Sequence, residues 1–359
     1  MTIDPDSLLG STLAAITPVN AQALAQAEER QNQLTKPPGS LGLLEVVGCQ
    51  LSAISGEVPP SVPNHPVLAV FAGDHGVYEQ KITPWPQEVT VQMLINMCHG
   101  GASINALAPE TGTLIWPVDI GVANDVPDAP NLRRRRVRNG TADFTQQSAM
   151  TLSEAQQAIE VGIDLANEAA AGGADVLLTG EVGLGNTTSA AALIAVMTGT
   201  DPELTTGRGS GSDEAMLGRK VDVIRRGVAL HRPTATDPLG VLAALGGLEL
   251  AGMAGFILGG AANKVPVILD GVLSCASALI ATGLNPEVTR YLIAGHLGEE
   301  PGIKVALNEL GLPALCDLEL RLGEGSGALM ALSIVRASAR VLRDMATFAD
   351  AGVSGKVDE

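Results

Sequence analysis

The sequence predicts an α/β fold, a parallel β-sheet with helices on both of its faces. Short runs that are apolar throughout alternate with helical patterns, as expected of strands buried from both sides. Aromatic residues make up only 2% of the chain while glycine counts 42. That composition suits small-residue helices packed closely on a sheet better than an aromatic-filled barrel. The 359 residues, 46% of them hydrophobic, supply the core of one large domain or two unequal ones.

Taken in order, the chain opens with two helical patterns, Asn20–Leu34 and Leu41–Ile54, joined by the loop Thr35-Lys-Pro-Pro-Gly-Ser-Leu-Gly42. A proline-rich bridge, Val58–Pro66, leads into the first strand candidate, Val67–Ala72. A helix over Glu88–Leu107 and a strand over Leu114–Ile120 follow. The helical pattern Ser153–Ala171 precedes an apolar strand at Val176–Thr179, which feeds the alanine-rich helix Thr187–Met197. Helix Asp213–His231, strands Val265–Leu269 and Tyr291–Ala294, and helices Gly302–Leu310 and Gly327–Ala346 complete the pattern. Residues 350–359 read as a frayed tail, and neither internal repeats nor low-complexity tracts are present. The alternation is Rossmann-like. Both chain ends are helical, so residues 1–60 with 335–359 are expected to form a small helical domain on a large α/β domain of residues 61–334.

Charge and composition exclude several function classes. A net charge of −17 argues against nucleic acid, which needs a basic face. The run Arg133 to Arg136 is the local exception. It reads as a solvated loop, or as a contact with a ligand phosphate or an acidic partner face. Cys49, Cys98, Cys275 and Cys316 are widely spaced, so neither a zinc site nor a disulfide framework is expected, and reduced thiols in the cytoplasm are. The opening MTIDPDSLLG lacks a signal-peptide basic region. The most apolar stretches, near 250–262 and 265–282, are broken by glycines, Lys264, Pro266 and Asp270, so no membrane span is expected.

In open parallel sheets, ligands bind beyond the carboxyl ends of the strands. Here the strand ends carry Asp74 and His75, then Asp119, then Glu181, Asp270 and His296, most beside glycine. Acids and imidazoles collected on one edge point to a shared site. Residues 176–194, VLLTGEVGLGNTTSAAALI, run from strand through a glycine turn (Gly180, Gly183, Gly185) into a helix opened by Asn186, Thr187 and Thr188. Glycines let backbone N–H groups approach an anion at a helix start. The order of the glycines excludes the dinucleotide fingerprint, and the absence of a lysine excludes the P-loop. An ordinary turn capped by Asn186 or Thr187 is the plain alternative. A second acid, Glu324, sits between Gly323 and Gly325. Either the glycines leave room for a flat ligand, or the segment is a helix-entry turn with Ser326 as N-cap. Burial would raise the pKa of Glu324 and the helix dipole would lower it.

These stretches resemble the nicotinate-nucleotide:dimethylbenzimidazole phosphoribosyltransferases, enzymes that activate the lower ligand of cobalamin. The matching segments are Lys36-Pro-Pro-Gly-Ser-Leu-Gly42 with Leu44-Glu45, Ala72-Gly-Asp-His-Gly-Val77, Val89-Thr90, and Gly100-Gly-Ala-Ser-Ile-Asn105. Further along stand Gly180-Glu-Val-Gly-Leu-Gly-Asn-Thr-Thr188, Arg219-Lys-Val-Asp222, Leu269-Asp-Gly271 and Arg321-Leu-Gly-Glu-Gly-Ser-Gly327. The resemblance implies a homodimeric enzyme that uses neither cofactor nor metal. It would move ribose 5-phosphate from nicotinate mononucleotide to 5,6-dimethylbenzimidazole. It implies that Glu324 is the general base. Glu181, Gly183, Gly185, Asn186, Thr187 and Thr188 would form the ribose and phosphate loop, with Lys220, Asp270 and His296 also on the nucleotide. Without the resemblance, Lys220 reads as a solvated helix residue. The slot for the incoming base would involve Leu322, Trp85 and Met93, with Asp74 and His75 beside it. Two positions depart from the pattern: Gly295, where relatives often have serine, and Trp85, where some have a small residue. A nicotinamide-dependent oxidoreductase and a transferase using phosphoribosyl diphosphate lack their expected motifs here. A non-catalytic nucleotide or azole binder is the remaining rival.

Overall fold

A computed structural model describes residues 3–209 and 211–354. Three helices come first, α1 (Leu8–Ala15), α2 (Ala21–Gln33) and α3 (Leu43–Ser55). Then follow β1 (Pro66–Gly73), a 3₁₀ turn at Gly76–Gln80, α4 (Glu88–Cys98), α5 (Ser103–Thr111), β2 (Leu114–Gly121) and β3 (Arg133–Arg134). The middle supplies α6 (Leu152–Ala171), β4 (Val176–Val182), α7 (Asn186–Thr198), α8 (Pro202–Thr205), α9 (Glu214–His231), α10 (Pro238–Leu245) and α11 (Leu248–Ala262). The last part contains β5 (Val267–Leu269), α12 (Val272–Leu284), a 3₁₀ turn at Pro286–Tyr291, β6 (Leu292–Ala294), α13 (Pro301–Leu310), α14 (Ser326–Asp344) and α15 (Phe348–Ala351).

The six strands form one parallel sheet in the order β3-β2-β1-β4-β5-β6. The order reverses between β1 and β4, which opens a crevice at their carboxyl ends. Side chains alternate across the sheet with period two. Val67, Ala69 and Phe71 of β1, Leu177 of β4 and Leu269 of β5 enter a core on one face. Leu68, Val70, Leu178 and Ile268 enter a core on the other. Every residue of β1 is buried, which is why the strand reads as a continuous apolar run. Helices α6, α11 and α12 cover the first face, and α3, α5 and α14 the second. Helices α6 and α11 cross at glycines. A Cβ on Gly162 would strike the Gly252 carbonyl, and one on Gly255 the Ile159 carbonyl. The high glycine content therefore serves backbone-to-backbone packing.

The structure corrects several expectations. The single helix expected over Glu88–Leu107 is two, because Gly100 takes φ +83° and ends the first. Gly180 and Glu181 belong to β4, paired with Val70 and Phe71 of β1, so Glu181 projects from a strand rather than from the glycine turn. Only part of the arginine run is loop, and Arg134 and Arg135 are exposed. Arg133 and Arg134 form the edge strand β3 against β2. Arg133 stacks on Trp116 and pairs with Glu168, and Arg134 pairs with Asp128. Arg136 reaches the buried Asp119 at 2.8 Å, so that acid is neutralised inside the frame.

Helix α14 runs without a break through the boundary expected at residues 334 and 335. Helices α2 and α3 pack together and against α14, whereas α1 packs on α6 and α11. We propose a small helical unit made of α2, α3 and the end of α14. Of the tail expected over 350–359, residues 355–359 lie outside the described residues. No helix among the described residues is long and apolar enough to cross a membrane.

Candidate functional site

A cavity of about 360 Å³ opens beyond the carboxyl ends of β4, β5 and β6, beside the point where the strand order reverses. One half is polar, with Glu181, Asn186, Thr187, Lys220, Asp270 and His296 in its wall. The other half is apolar, with Ile82, Val89 and Met93, and with Trp85 and Leu322 exposed at the mouth. Gly183 and Gly185 also line it. The chemistry of the walls suits a flat apolar ring lying beside a phosphorylated, hydroxyl-bearing group.

The polar half grows from the turn after β4. Gly185 is the N-cap of α7, with φ +91° and no side chain to take the first N–H groups of the helix. That leaves an amide-lined start, suited to an anion. The Asn186 side chain donates to Glu181 Oε2. Lys220 comes from α9 and is buried rather than solvated. Its Nζ donates to Thr187 Oγ1 at 3.2 Å and to the Gly207 carbonyl at 3.3 Å. Burial lowers its pKa, and the nearby Glu300 opposes that shift. Glu300, which accepts from Gly209 N at 2.6 Å, escaped the reading of the sequence. Its signal was a glutamate at a helix N-cap, before Pro301, where short polar residues are usual.

The second acid sits on an unusual turn. Gly323, Glu324 and Gly325 have φ of +88°, +64° and +96°. The flanking glycines are also required by packing, and Gly323 lines the cavity. A Cβ on Gly323 would strike Glu181 Oε1 and one on Gly325 would strike Leu68. The N-cap of α14 is Gly325 rather than Ser326, whose hydroxyl donates back to the Gly323 carbonyl at 2.8 Å. Ser103, at the start of α5, donates to Glu324 Oε2 at 3.1 Å. Burial raises the pKa of Glu324, the Ser103 hydrogen bond opposes this, and the Asp270 charge adds to the rise. The helix donors themselves are engaged elsewhere: the N–H groups of Gly325, Gly327 and Ala328 are taken by Asp270.

Glu181 is more extreme. Burial first, then the charges of Asp270, Glu249 and Glu324, hold its pKa well above the ordinary glutamate value. A folded-state pKa raised above the unfolded one contributes stability at low pH that disappears as pH rises through the folded value. Glu181→Gln should therefore gain melting temperature relative to the parent as pH is raised. Calorimetry from pH 5 to pH 9 tests this, and a pH-independent difference would sink it.

Three expected contacts do not face the cavity. Asp74 accepts from Thr90 Oγ1 at 2.6 Å and from Ala123 N at 2.9 Å. His75 Nε2 lies 2.6 Å from Glu249 Oε1, and Ser189 Oγ 2.9 Å from His75 Nδ1, all fully buried. The chain turns into the 3₁₀ segment directly after β1 and carries both side chains inward. The base-binding place expected for Asp74 and His75 is thus a supporting one behind the cavity wall. Thr188 of α7 is fully buried, and its hydroxyl has no hydrogen-bond partner among the described residues. His296 does line the cavity, with Nε2 3.6 Å from Asp270 Oδ1.

Known proteins resemble this chain over nearly its whole length. A family model described as "Phosphoribosyltransferase" matches residues 16–353. The nicotinate-nucleotide–dimethylbenzimidazole phosphoribosyltransferase of Salinispora tropica is 49% identical, over 97% of this chain and 100% of its own. The protein of the same name from Chloroflexus aggregans is 50% identical, over 98% and 99%. A crystal structure of nicotinate-nucleotide-dimethylbenzimidazole phosphoribosyltransferase from Thermus thermophilus superposes with a TM-score of 0.89 at 43% identity. It covers 94% of this chain and 100% of that one.

Proposed function

The chain belongs to the family of nicotinate-nucleotide–dimethylbenzimidazole phosphoribosyltransferases, and on that premise we propose how its cavity performs the reaction. Ribose 5-phosphate moves from nicotinate mononucleotide to 5,6-dimethylbenzimidazole. The products are α-ribazole 5′-phosphate, the lower-ligand precursor of cobalamin, and nicotinate. The observation that carries the reading is Glu324, a buried carboxyl of raised pKa in a cavity whose wall also holds Val89, Met93, Lys220 and the start of α7.

Lys220 and the start of α7 suit the phosphate. Glu181, whose pKa burial holds well above the ordinary glutamate value, suits a ribose hydroxyl. The apolar wall around Val89, Met93 and Leu322 suits the benzimidazole ring. With both reactants in line, a benzimidazole nitrogen attacks C1′ on the face opposite the pyridinium. The C1′–N bond breaks, its electron pair returns to the pyridine ring, and configuration changes from β to α. Glu324 takes the benzimidazole N–H proton. The leaving group already carries positive charge, so no acid or metal is required to expel it. Catalysis is then mainly alignment plus one proton acceptor.

Purified protein should convert nicotinate mononucleotide and dimethylbenzimidazole to α-ribazole phosphate in chelator-treated buffer, read by chromatography. Nucleotide binding without product would overturn the reading in favour of a non-catalytic binder. The reading extends to a homodimer in the cytoplasm. All four cysteines are free thiols, which suits a reducing compartment; the homodimer rests on the resemblance alone.

A further inference from the structure

The carboxylate of Asp270 is committed to α14 rather than free in the cavity. It stands directly after β5, yet it serves a helix 55 residues further along. Oδ2 accepts from Gly325 N at 3.1 Å, and Oδ1 accepts from Gly327 N at 2.7 Å and from Ala328 N at 3.2 Å. These are donors that a helix leaves unpaired at its start. An N-cap side chain usually takes one of them, but here the N-cap is glycine.

The turn that this carboxylate holds is the one that carries Glu324. A non-glycine residue in the left-handed region costs about 1–3 kcal/mol and persists only where its surroundings fix it. Without Asp270, Glu324 would be an anion within reach of the positive end of α14. We propose that Asp270 is the positioning residue of the proton acceptor: capping α14 from the turn after β5, it fixes the Gly323-Glu324-Gly325 turn and withholds the helix donors from Glu324. The inference rests on Glu324 being the general base.

The environment of Glu324 supports this direction. The other titratable and charged groups in the cavity wall are Glu181 from β4, Lys220 from α9, Asp270 after β5, His296 after β6, Glu300 before α13 and Arg321 on the segment of Glu324 itself. Burial raises its pKa, Ser103 from α5 opposes that, and Asp270 adds to it. Removing the Asp270 charge and freeing the α14 N–H groups therefore act in the same sense, both favouring ionised Glu324.

Asp270→Asn keeps the shape and one acceptor oxygen while removing the charge. In the full-length enzyme, the acidic limb of kcat/KM should move about one unit toward lower pH. Turnover should fall about ten- to hundredfold through misplacement of the base, with the nucleotide KM changed less than about threefold. A limb that stays in place, with the loss carried by the nucleotide KM, would make Asp270 a substrate ligand and overturn the proposal. A second measurement needs no altered Asp270. The carboxyl infrared band that Glu324→Gln removes should ionise, in the parent protein, above the ordinary glutamate range. Ionisation within that range overturns the proposal even if Asp270→Asn fails to fold. Failure of the base assignment is distinct: Glu324→Gln would then keep its turnover, while the infrared titration, compared between the parent and Asp270→Asn, still reports whether Asp270 acts on Glu324.

Discussion

Glu324→Gln should lower kcat by about 10²–10⁴-fold, the range for removing a positioned general base, and leave the nucleotide dissociation constant within about threefold. The substitution is isosteric, and the amide still accepts from Ser103, whose hydroxyl lies 3.1 Å from the carboxylate. What it removes is the lone pair that receives the benzimidazole proton. The parent enzyme supplies an independent check. Glu324 must be ionised to act as a base, and burial raises its pKa. Activity should therefore disappear, as pH falls, at a pH above the ordinary glutamate value. The same shift carries a stability sign. Ionising Glu324 in the fold is unfavourable relative to the unfolded chain, so Glu324→Gln should be at least as stable as the parent, and increasingly so toward high pH. Near-normal turnover in a stable, nucleotide-binding variant would remove Glu324 from the role of base.

The parts of the fold legible in the sequence are those whose pattern is set by burial on both sides. Strands such as Val67–Ala72 are apolar at every position because both faces of the sheet are covered. The strand β3 was illegible for the opposite reason. It is an edge of two arginines whose partners, Trp116, Glu168 and Asp128, come from other elements. The break between α4 and α5 was written in Gly100-Gly101, but the apolar spacing on either side masked it.

The site divides along the same line. The glycine turn after β4 and the acid between two glycines are local signals, and both lie on the cavity. Interactions across the fold left no such mark. His75 meets Glu249 and Ser189, residues 174 and 114 positions away in sequence, so an imidazole at a strand end looked like a ligand group. Lys220 illustrates the reverse case. On its helix alone it reads as solvated, and only the packing of α9 against the loop at Gly207 shows it buried. The glycines around Glu324 were visible, but their reason was not. They answer to backbone torsion and to the closeness of Glu181 and Leu68.

That reason gives Gly323→Ala an effect out of proportion to one methyl group. At φ +88° an alanine is strained by about 1–3 kcal/mol. Its Cβ would also strike Glu181 Oε1, on a carboxyl whose other oxygen accepts from Asn186. Relief requires the turn to move, and Glu324 moves with it. An error of about 1 Å in a reacting group costs about a hundredfold in rate. Gly323→Ala should thus lose about 2 kcal/mol of stability and about 10²-fold in kcat, with the loss in rate persisting at temperatures where the variant is fully folded. Gly218→Ala on α9 is the matched control. Nothing lies within 4 Å of a Cβ there, and alanine in a helix interior is favoured by about 0.5–1 kcal/mol. Its melting temperature should rise slightly and its turnover stay unchanged. Equal behaviour of the two variants would show that the left-handed turn plays no part in placing the base.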